Sequence, residues 1–225
     1  MNKLVVCILA SLIFLSASSA FAAPPKKAKE AKTEAVKSER ITTLLWYCAA
    51  CHGKDGNGPT PPNPEYPKIA GKSQEYLEKQ LTDFQSEKRK NTIMAGWVAE
   101  LSPAEITTIA SYYAKQGSTP DTGKNPELLA AGKKFYAEGN PERGVPACAG
   151  CHLPDGSGAS TFAALAGQHA AYLYQQLKRF ASSERTNDAG MMMQSVATAM
   201  TDEEMRAVSE YIASMNKPLK EGSAP

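Results

Sequence analysis

The sequence predicts an all-α protein made of two similar halves. Three features support this prediction: a five-residue motif, a helical face and a capped final helix, each of which occurs twice in the same order. No stretch alternates between apolar and polar residues as a half-buried strand would. Because internal duplication indicates repeated structural units, we expect one domain for each copy.

The repeated motif is C-x-x-C-H, at residues 48–52 and again at 148–152. This spacing is typical of covalent attachment of c-type haem. The two thiols can form thioethers with the two vinyl groups of a porphyrin, and the adjacent histidine can bind the iron. A single C-x-x-C also fits a zinc half-site or a redox dithiol, but the histidine and the second copy favour haem. We therefore predict two covalently bound haem c groups, held by Cys48, Cys51, Cys148 and Cys151.

A predicted helix follows each motif. Residues 76–84 and 172–180 share the pattern Y-L-x-x-Q-L-x-x-F, which places these side chains on one helical face. Core packing is sufficient to explain most of them. A further helix at residues 127–136 leads into the second motif, and its counterpart lies at about residues 38–47.

The final helix of each half is predicted from its N-terminal cap. Ser102 with Glu105, and Thr201 with Glu204, have the spacing of a capping box. These boxes predict helices that run to about residue 115 and to about residue 215.

The predicted proximal iron ligands are the motif histidines, His52 and His152. Of the three histidines in the chain, only His169 remains. A histidine at a helix start that has no counterpart in the other half is more typical of a surface or capping residue than of a haem ligand. Methionine is a common second ligand in cytochromes c. In the first half only Met94 follows the haem motif, so we predict that it is the sixth ligand there.

Several methionines compete for the corresponding position in the second half. Met94 lies seven residues before the residue that precedes the Ser102 cap. Counting back the same distance from Met200, which precedes the Thr201 cap, gives Met193. We predict Met193 as the second ligand, with Met191 and Met192 as the alternatives.

Residues 1–22 have the pattern of a signal peptide. A short basic start precedes an apolar run at residues 4–15, and Ala20-Phe21-Ala22 provides the small-x-small cleavage signal. The apolar run is too short to span a bilayer, so we expect no transmembrane segment in the mature chain. Covalent haem attachment in bacteria takes place outside the cytoplasm. We therefore expect the mature protein in the periplasm.

The formal net charge is +2 at pH 7, and nothing in the sequence indicates a nucleic-acid partner. Lysines are concentrated in residues 23–40, a basic polar segment that is expected to be a poorly ordered tail or a frayed helix. The expected order after it is a first haem domain (41–116), a polar linker (117–126), a second haem domain (127–218) and a tail (219–225).

The chain resembles the cytochrome c4 family, dihaem periplasmic proteins built from two class I cytochrome c domains. The resemblance covers residues 41–216 and is carried by both motifs, by the methionines before Thr201, and by residues 67–71, 166–172 and 185–188. It implies two all-α domains, each wrapped around one haem and related by a pseudo-twofold axis, with the haem edges facing each other. It also implies electron transfer between respiratory redox proteins, often to a terminal oxidase.

The two halves depart from the family pattern in different ways. The glycine that opens the first helix is present as Gly132 but is missing from the first half. Ala163 stands where the family has a proline, the counterpart of Pro67, and the resemblance implies that this residue's carbonyl accepts a hydrogen bond from the proximal histidine. The first half also has a longer proline-rich loop at residues 59–67. The two haems are therefore expected to differ electronically.

Three functions compete at this point. The leading one is an electron carrier without substrate chemistry, and hence no enzyme. Each half contains a methionine that can fill the sixth coordination position of its haem. The second is a dihaem cytochrome subunit of a periplasmic dehydrogenase, such as a sulfide-oxidising flavocytochrome. The third, a dihaem peroxidase, requires a displaceable distal ligand and an acid–base group beside it.

Overall fold

Helices make up the secondary structure of the computed structural model, which describes residues 26–59, 63, 66–121, 126–159 and 162–215. These residues contain two isolated β-bridges and no strand. The predicted all-α fold class is confirmed. None of the helices within these ranges is both long enough and apolar enough to cross a bilayer. The predicted signal peptide (1–22) and C-terminal tail (219–225) lie outside the described residues.

The described residues from Glu39 onward form one compact unit that contains both halves of the repeat. The helices of the first half are α1 (Lys26–His52), α2 (Gln74–Gln85), α3 (Thr92–Val98) and α4 (Pro103–Ala114). Those of the second half are α5 (Pro126–Glu138), α6 (Ala149–His152), α7 (Ala170–Ala181), α8 (Met192–Ala199) and α9 (Asp202–Ser214). The same succession occurs twice: a helix leading towards the motif, a helix after it, a short helix and a capped final helix.

The helix that enters the first motif is longer than the sequence analysis predicted. It was expected at residues 38–47, but α1 begins at Lys26 and runs through the motif. This stretch contains no glycine or proline until Gly53, where a φ of 78° ends the helix. In the second half, the helical conformation ends after α5, where Gly139 adopts a φ of 69° and Pro141 follows. The second motif therefore forms the separate short helix α6.

Both predicted capping boxes are confirmed. The Glu105 N–H donates to Ser102 Oγ at 3.4 Å, and the Ser102 N–H donates to Glu105 Oε2 at 2.8 Å. The Glu204 N–H and the Thr201 N–H make the equivalent pair at 3.1 and 2.7 Å. These caps fix the start of α4 and α9, and with it the position of the segment that carries the candidate methionine ligands.

Each half has its own apolar core. The predicted helical faces supply Leu77 and Phe84 in α2, and Leu173 and Phe180 in α7, all of which are buried. They pack against apolar residues of the final helix of the same half. The helical periodicity therefore identified core residues correctly.

The described part of the linker is bonded to both halves. Asn57 donates to the Gly117 carbonyl at 2.8 Å and accepts from the Thr119 N–H at 2.9 Å. The Lys68 ammonium donates to the Thr119 carbonyl at 2.9 Å. On the other side, the Asp121 N–H donates to the Ala213 carbonyl of α9 at 3.0 Å. Residues 117–121 are therefore a fixed connection between the halves.

Helices α5 and α9 cross in direct backbone contact at Gly132. A Cβ at this position would lie 2.0 Å from the Ala207 carbonyl oxygen and 2.8 Å from Cβ of Tyr211. Both neighbours belong to well-packed helix, which cannot yield without moving backbone.

We expect Gly132→Ala to lower the free energy of unfolding by about 1–3 kcal/mol, the usual cost of overpacking. Chemical denaturation of the haem-loaded protein measures this loss. Gly96→Ala is the matched control, because a Cβ on Gly96 meets nothing within 4 Å and alanine favours a helix over glycine. An equal loss of stability in both variants would contradict the crossing argument.

Candidate haem-binding site

The two motifs occupy the ends of helices. Residues 48–52 form the last turn of α1, and in the second half Cys148 is the N-cap of α6, which ends at His152. Helical residues three apart are neighbours on the same side of a helix. Each motif therefore presents its two cysteines together, and none of the four forms a disulfide.

A backbone carbonyl orients each motif histidine. Nδ1 of His52 lies 2.8 Å from the Pro67 oxygen, and Nδ1 of His152 lies 2.8 Å from the Ala163 oxygen. Because a carbonyl can only accept, Nδ1 carries the proton in both rings and Nε2 keeps its lone pair. Ala163 therefore makes the same bond as Pro67, although it lacks the fixed φ of proline.

Burial also determines the protonation of these histidines. It lowers the pKa of His52 and of His152, and it outweighs the hydrogen bond to the carbonyl, which acts in the opposite direction. Both rings are therefore neutral near pH 7. A neutral imidazole with a free Nε2 is the form that binds a metal.

The leading cysteine of each motif does not fit a redox dithiol. Burial raises the pKa of the Cys48 and Cys148 thiols to about 11, whereas dithiol exchange uses a thiolate. Over the described ranges, no three histidine, cysteine or carboxylate side chains converge as a metal-ligand set. The geometry favours covalent haem attachment.

Met94 is fixed by the start of α3. The Met94 N–H donates to the Oδ1 of Asn91, the N-cap of this helix, at 2.9 Å. Its side chain is half-buried and packs against the apolar core of the first half. The predicted ligand of the first half therefore has a defined backbone position.

The three methionines of the second half differ in exposure. The side chains of Met191 and Met192 are 61% and 45% exposed, whereas Met193 is half-buried and packs against the second core. Met191 adopts a φ of 57°, and the chain enters α8 directly after it. Asp188 then accepts hydrogen bonds from the Gln194 backbone and side chain at 3.1 and 2.7 Å.

One continuous cavity of about 540 Å³, the shared cavity, is lined by both halves. It brings together all eight predicted attachment and ligand residues: Cys48, Cys51, His52, Met94, Cys148, Cys151, His152 and Met193. Met192 also borders it. The cavity wall therefore carries, in each half, two cysteines, a histidine and a methionine, the residue types that attach and ligate haem in cytochromes c.

The charge of the shared cavity fits haem as well. Its wall carries seven basic residues, Lys68, Lys72, Lys79, Arg89, Lys90, Arg179 and Arg185, and only two acidic ones, Glu184 and Asp188. Each haem is a broad apolar disc with two carboxylates at one edge. The apolar walls suit the disc, and the excess of cations suits four carboxylates.

Comparison with known proteins agrees with this geometry. The profile of the Cytochrome c family matches residues 38–116 and 129–216. A cytochrome c4 of Thiocapsa roseopersicina is 41% identical over 173 residues, which cover 76% of this chain and 88% of the relative. The chain belongs to the dihaem cytochrome c4 family. It is a dihaem electron-transfer cytochrome, with haem c attached covalently at Cys48 and Cys51 and at Cys148 and Cys151.

Two further similarities are to a solved structure and to a relative that is named as an electron acceptor. The crystal structure of reduced recombinant cytochrome c4 from Pseudomonas stutzeri matches with a TM-score of 0.74 and 36% identity, covering 79% of this chain and 98% of that one. A thiosulfate dehydrogenase electron acceptor of Thiomonas intermedia strain K12 is 35% identical over 225 residues, covering 98% of this chain and 94% of the relative.

The interface of this cytochrome is built from crossed polar contacts that the sequence analysis missed. The Arg89 guanidinium donates to the Tyr172 hydroxyl of the other half at 2.7 Å, and Arg185 bonds the Tyr76 hydroxyl in return. Although burial acts to raise the pKa of the Tyr76 phenol, the positive charges of Arg185 and then Arg89 outweigh burial and lower it. The two arginine–tyrosine pairs are equivalent under the repeat.

Two glutamines join these pairs into one network. Gln80 Oε1 accepts from Arg89 at 2.8 Å and from Arg185 at 3.2 Å, and Gln176 Oε1 accepts from the same two guanidiniums at 3.3 and 2.9 Å. The repeated Y-L-x-x-Q-L-x-x-F pattern was interpreted mostly as core packing. Its leucines and phenylalanines confirm that interpretation. The interface role of its tyrosine and glutamine was not predicted, because a helical period shows that a face is buried but not what covers it.

Gln168 bonds the backbone of the first half directly. The Lys68 N–H donates to Gln168 Oε1 at 2.8 Å, and Gln168 Nε2 donates to the Lys68 carbonyl at 2.7 Å. Both residues are buried. This amide therefore replaces the water that the Lys68 backbone would otherwise bind.

The prediction for His169 was wrong. It was expected as a surface or capping residue, but its side chain is buried, makes no capping bond, and does not line the shared cavity. Its Nδ1 lies 2.9 Å from Oδ2 of Asp121 in the linker. Its Nε2 would lie 3.0 Å from a Cβ at Gly58. His169 therefore packs between the linker and the loop that follows the first motif.

We expect Gln168→Ala to expose the Lys68 backbone and to lower the free energy of unfolding by about 2 kcal/mol, because two buried backbone groups lose their partner. Hydrogen exchange of the Lys68 amide should accelerate strongly.

Gln85→Ala is the matched control, because Gln85 donates only to carbonyls of its own half, at Val98, Ala99 and Leu101. It is expected to destabilise the first half while leaving the Lys68 amide protected. Unchanged protection of Lys68 in Gln168→Ala would refute the role of this contact.

Proposed function

We propose that this protein is a periplasmic electron carrier that passes single electrons between respiratory redox partners. The observation that carries the proposal is the shared cavity, whose wall carries the predicted attachment and ligand residues of both halves. Haem supplies the one-electron chemistry when bound. The chain supplies the attachment residues, the axial ligands and one cavity that holds both haems within a single compact unit.

In the proposed ligand sets, His52 and Met94 bind the first iron, and His152 and Met193 bind the second. The bonds of both histidines to backbone carbonyls support this assignment, because they leave Nε2 free. The half-buried positions of both methionines support it further. With both axial positions filled, little rearrangement accompanies each electron transfer, which suits a carrier.

We expect Met94→Ala to convert one haem, and Met193→Ala the other, from low to high spin, because each loses its sixth ligand. Optical and EPR spectra of the ferric protein show this change. Met192→Ala is the control on the adjacent, more exposed residue, and it should leave both haems low-spin. High-spin iron in Met192→Ala, together with low-spin iron in Met193→Ala, would overturn the assignment of Met193.

The proposed electron donor is a periplasmic dehydrogenase, and the proposed acceptor is a terminal oxidase. The similarity to a thiosulfate dehydrogenase electron acceptor over nearly the whole chain supports a donor of this class. Rapid mixing of the oxidised protein with a thiosulfate dehydrogenase and its substrate tests the donor. Stoichiometric reduction of both haems supports the proposal, and no reduction within minutes contradicts it.

A permanent dehydrogenase subunit is the alternative. A cytochrome subunit of sulfide dehydrogenase from Chlorobaculum tepidum is 36% identical over 104 residues, or 46% of this chain. Purification of the protein from its own periplasm decides between the two. A stable complex with a flavoprotein favours the subunit, and a free dihaem protein favours the carrier.

We also propose that the protein has no peroxidase activity, because a methionine is available to fill the distal position of each haem. Steady-state assays with hydrogen peroxide and a reduced electron donor measure this directly. Turnover at enzyme-like rates would refute both this expectation and the methionine assignments.

A further inference from the structure

The wall of the shared cavity is not symmetric near the first motif. Tyr113 in α4 and Ile212 in α9 occupy equivalent positions, since the carbonyl of each accepts a hydrogen bond from a glycine N–H, Gly71 at 3.0 Å and Gly167 at 3.1 Å. Both side chains line the shared cavity. The first half therefore places a phenol where the second half places a hydrocarbon.

The phenol of Tyr113 is buried and unpaired. The residue is 1% exposed, and its hydroxyl has no hydrogen-bond partner within the described part of the chain. Burial raises the pKa of this phenol, so the group stays protonated. An unsatisfied buried hydroxyl usually costs stability, which makes the position of this residue in the cavity wall, against the loop that follows the first motif, informative.

Two other buried or half-buried tyrosines near the motifs have hydrogen-bond partners for their hydroxyls. In the second half, Tyr136 donates to the Leu153 carbonyl at 2.7 Å, and it does not line the shared cavity. In the first half, Tyr112 makes the corresponding bond to the loop after the motif, to the Lys54 carbonyl at 3.2 Å. The structural role of a tyrosine at this loop is thus filled in both halves, and Tyr113 provides one additional hydroxyl.

We propose that the hydroxyl of Tyr113 stabilises positive charge on the haem held by Cys48 and Cys51, which we call haem 1. A hydroxyl without a fixed partner can rotate and direct its oxygen towards a positive charge. Ferric haem carries one more positive charge than ferrous haem, so the phenol stabilises the ferric form. The reduction potential of haem 1 is lowered accordingly, whereas the second half has the hydrocarbon side chain of Ile212 at the equivalent position of the wall.

This inference rests on covalent haem at the first motif, and not on the identity of the redox partners or on Met94 as ligand. Its test is a redox titration of the haem-loaded protein, followed by the haem methyl resonances in NMR spectra. Each resonance is assigned to its half by nuclear Overhauser contacts with neighbouring side chains. Failure of the ligand assignment would appear as high-spin iron, which is a separate signal.

In Tyr113→Phe, the equilibrium of haem 1 is expected to shift towards the ferrous form by about threefold or more, a factor typical of one hydrogen-bonding group. This corresponds to about 28 mV at 59 mV per tenfold change. The second haem should not shift. Tyr113→Ile, which copies the wall of the second half, should shift haem 1 in the same direction.

Tyr136→Phe is the matched control. It should leave both potentials unchanged and reduce stability, because it removes a satisfied hydrogen bond, whereas Tyr113→Phe should retain full stability. The proposal is overturned if the haem 1 potential in Tyr113→Phe is unchanged or falls, or if both haems shift equally. It is also overturned if Tyr113→Phe loses as much stability as Tyr136→Phe, because the hydroxyl would then have a partner in the protein.

Discussion

The crossed contacts between the two halves are the interaction on which the rest of the structure depends. Arg89 and Arg185 each bond a tyrosine of the opposite half, and both guanidiniums share the carbonyl oxygens of Gln80 and Gln176. Each guanidinium also lies over a phenylalanine ring of its own half, 4.6 Å from Phe84 or 4.5 Å from Phe180. Polar groups in such a position are costly unless all are paired. In the observed orientation of the halves these contacts form together, and the two haem clefts join into one cavity.

Equivalent motifs in this arrangement do not imply equivalent haems. The two proximal histidines make the same bond at the same distance, although one acceptor follows the fixed backbone of Pro67 and the other belongs to Ala163. The departure at Ala163 therefore leaves the histidine contact intact. Larger differences lie in the cavity wall, where Tyr113 of the first half is replaced by Ile212 in the second, and around Gly58, which packs against His169 of the other half. The asymmetry thus resides in packing that surrounds the motifs.

Local signals in the sequence predicted most of the fold and all of the attachment residues. The motifs, the capping boxes at Ser102 and Thr201 and the helical faces depend on residues within one or two turns of each other, so their spacing is visible in the chain. The interface was not predictable in this way, because Arg89 and Tyr172 are 83 residues apart. In addition, a glutamine on a buried helical face recurs at the same spacing as a leucine, so the pattern does not show which of them contacts the other half. His169 was misjudged for the same reason: its partner, Asp121, lies in a linker that composition describes only as polar.

The central claim is that the two halves form one redox unit in which electrons pass between the haems of a single molecule. Pulsed reduction of the oxidised protein with less than one electron per molecule tests it, with the two haems followed separately by their absorbance. We expect the electron to redistribute between the haems at a rate that does not depend on protein concentration. A rate that rises in proportion to concentration would show exchange between molecules and would contradict the account.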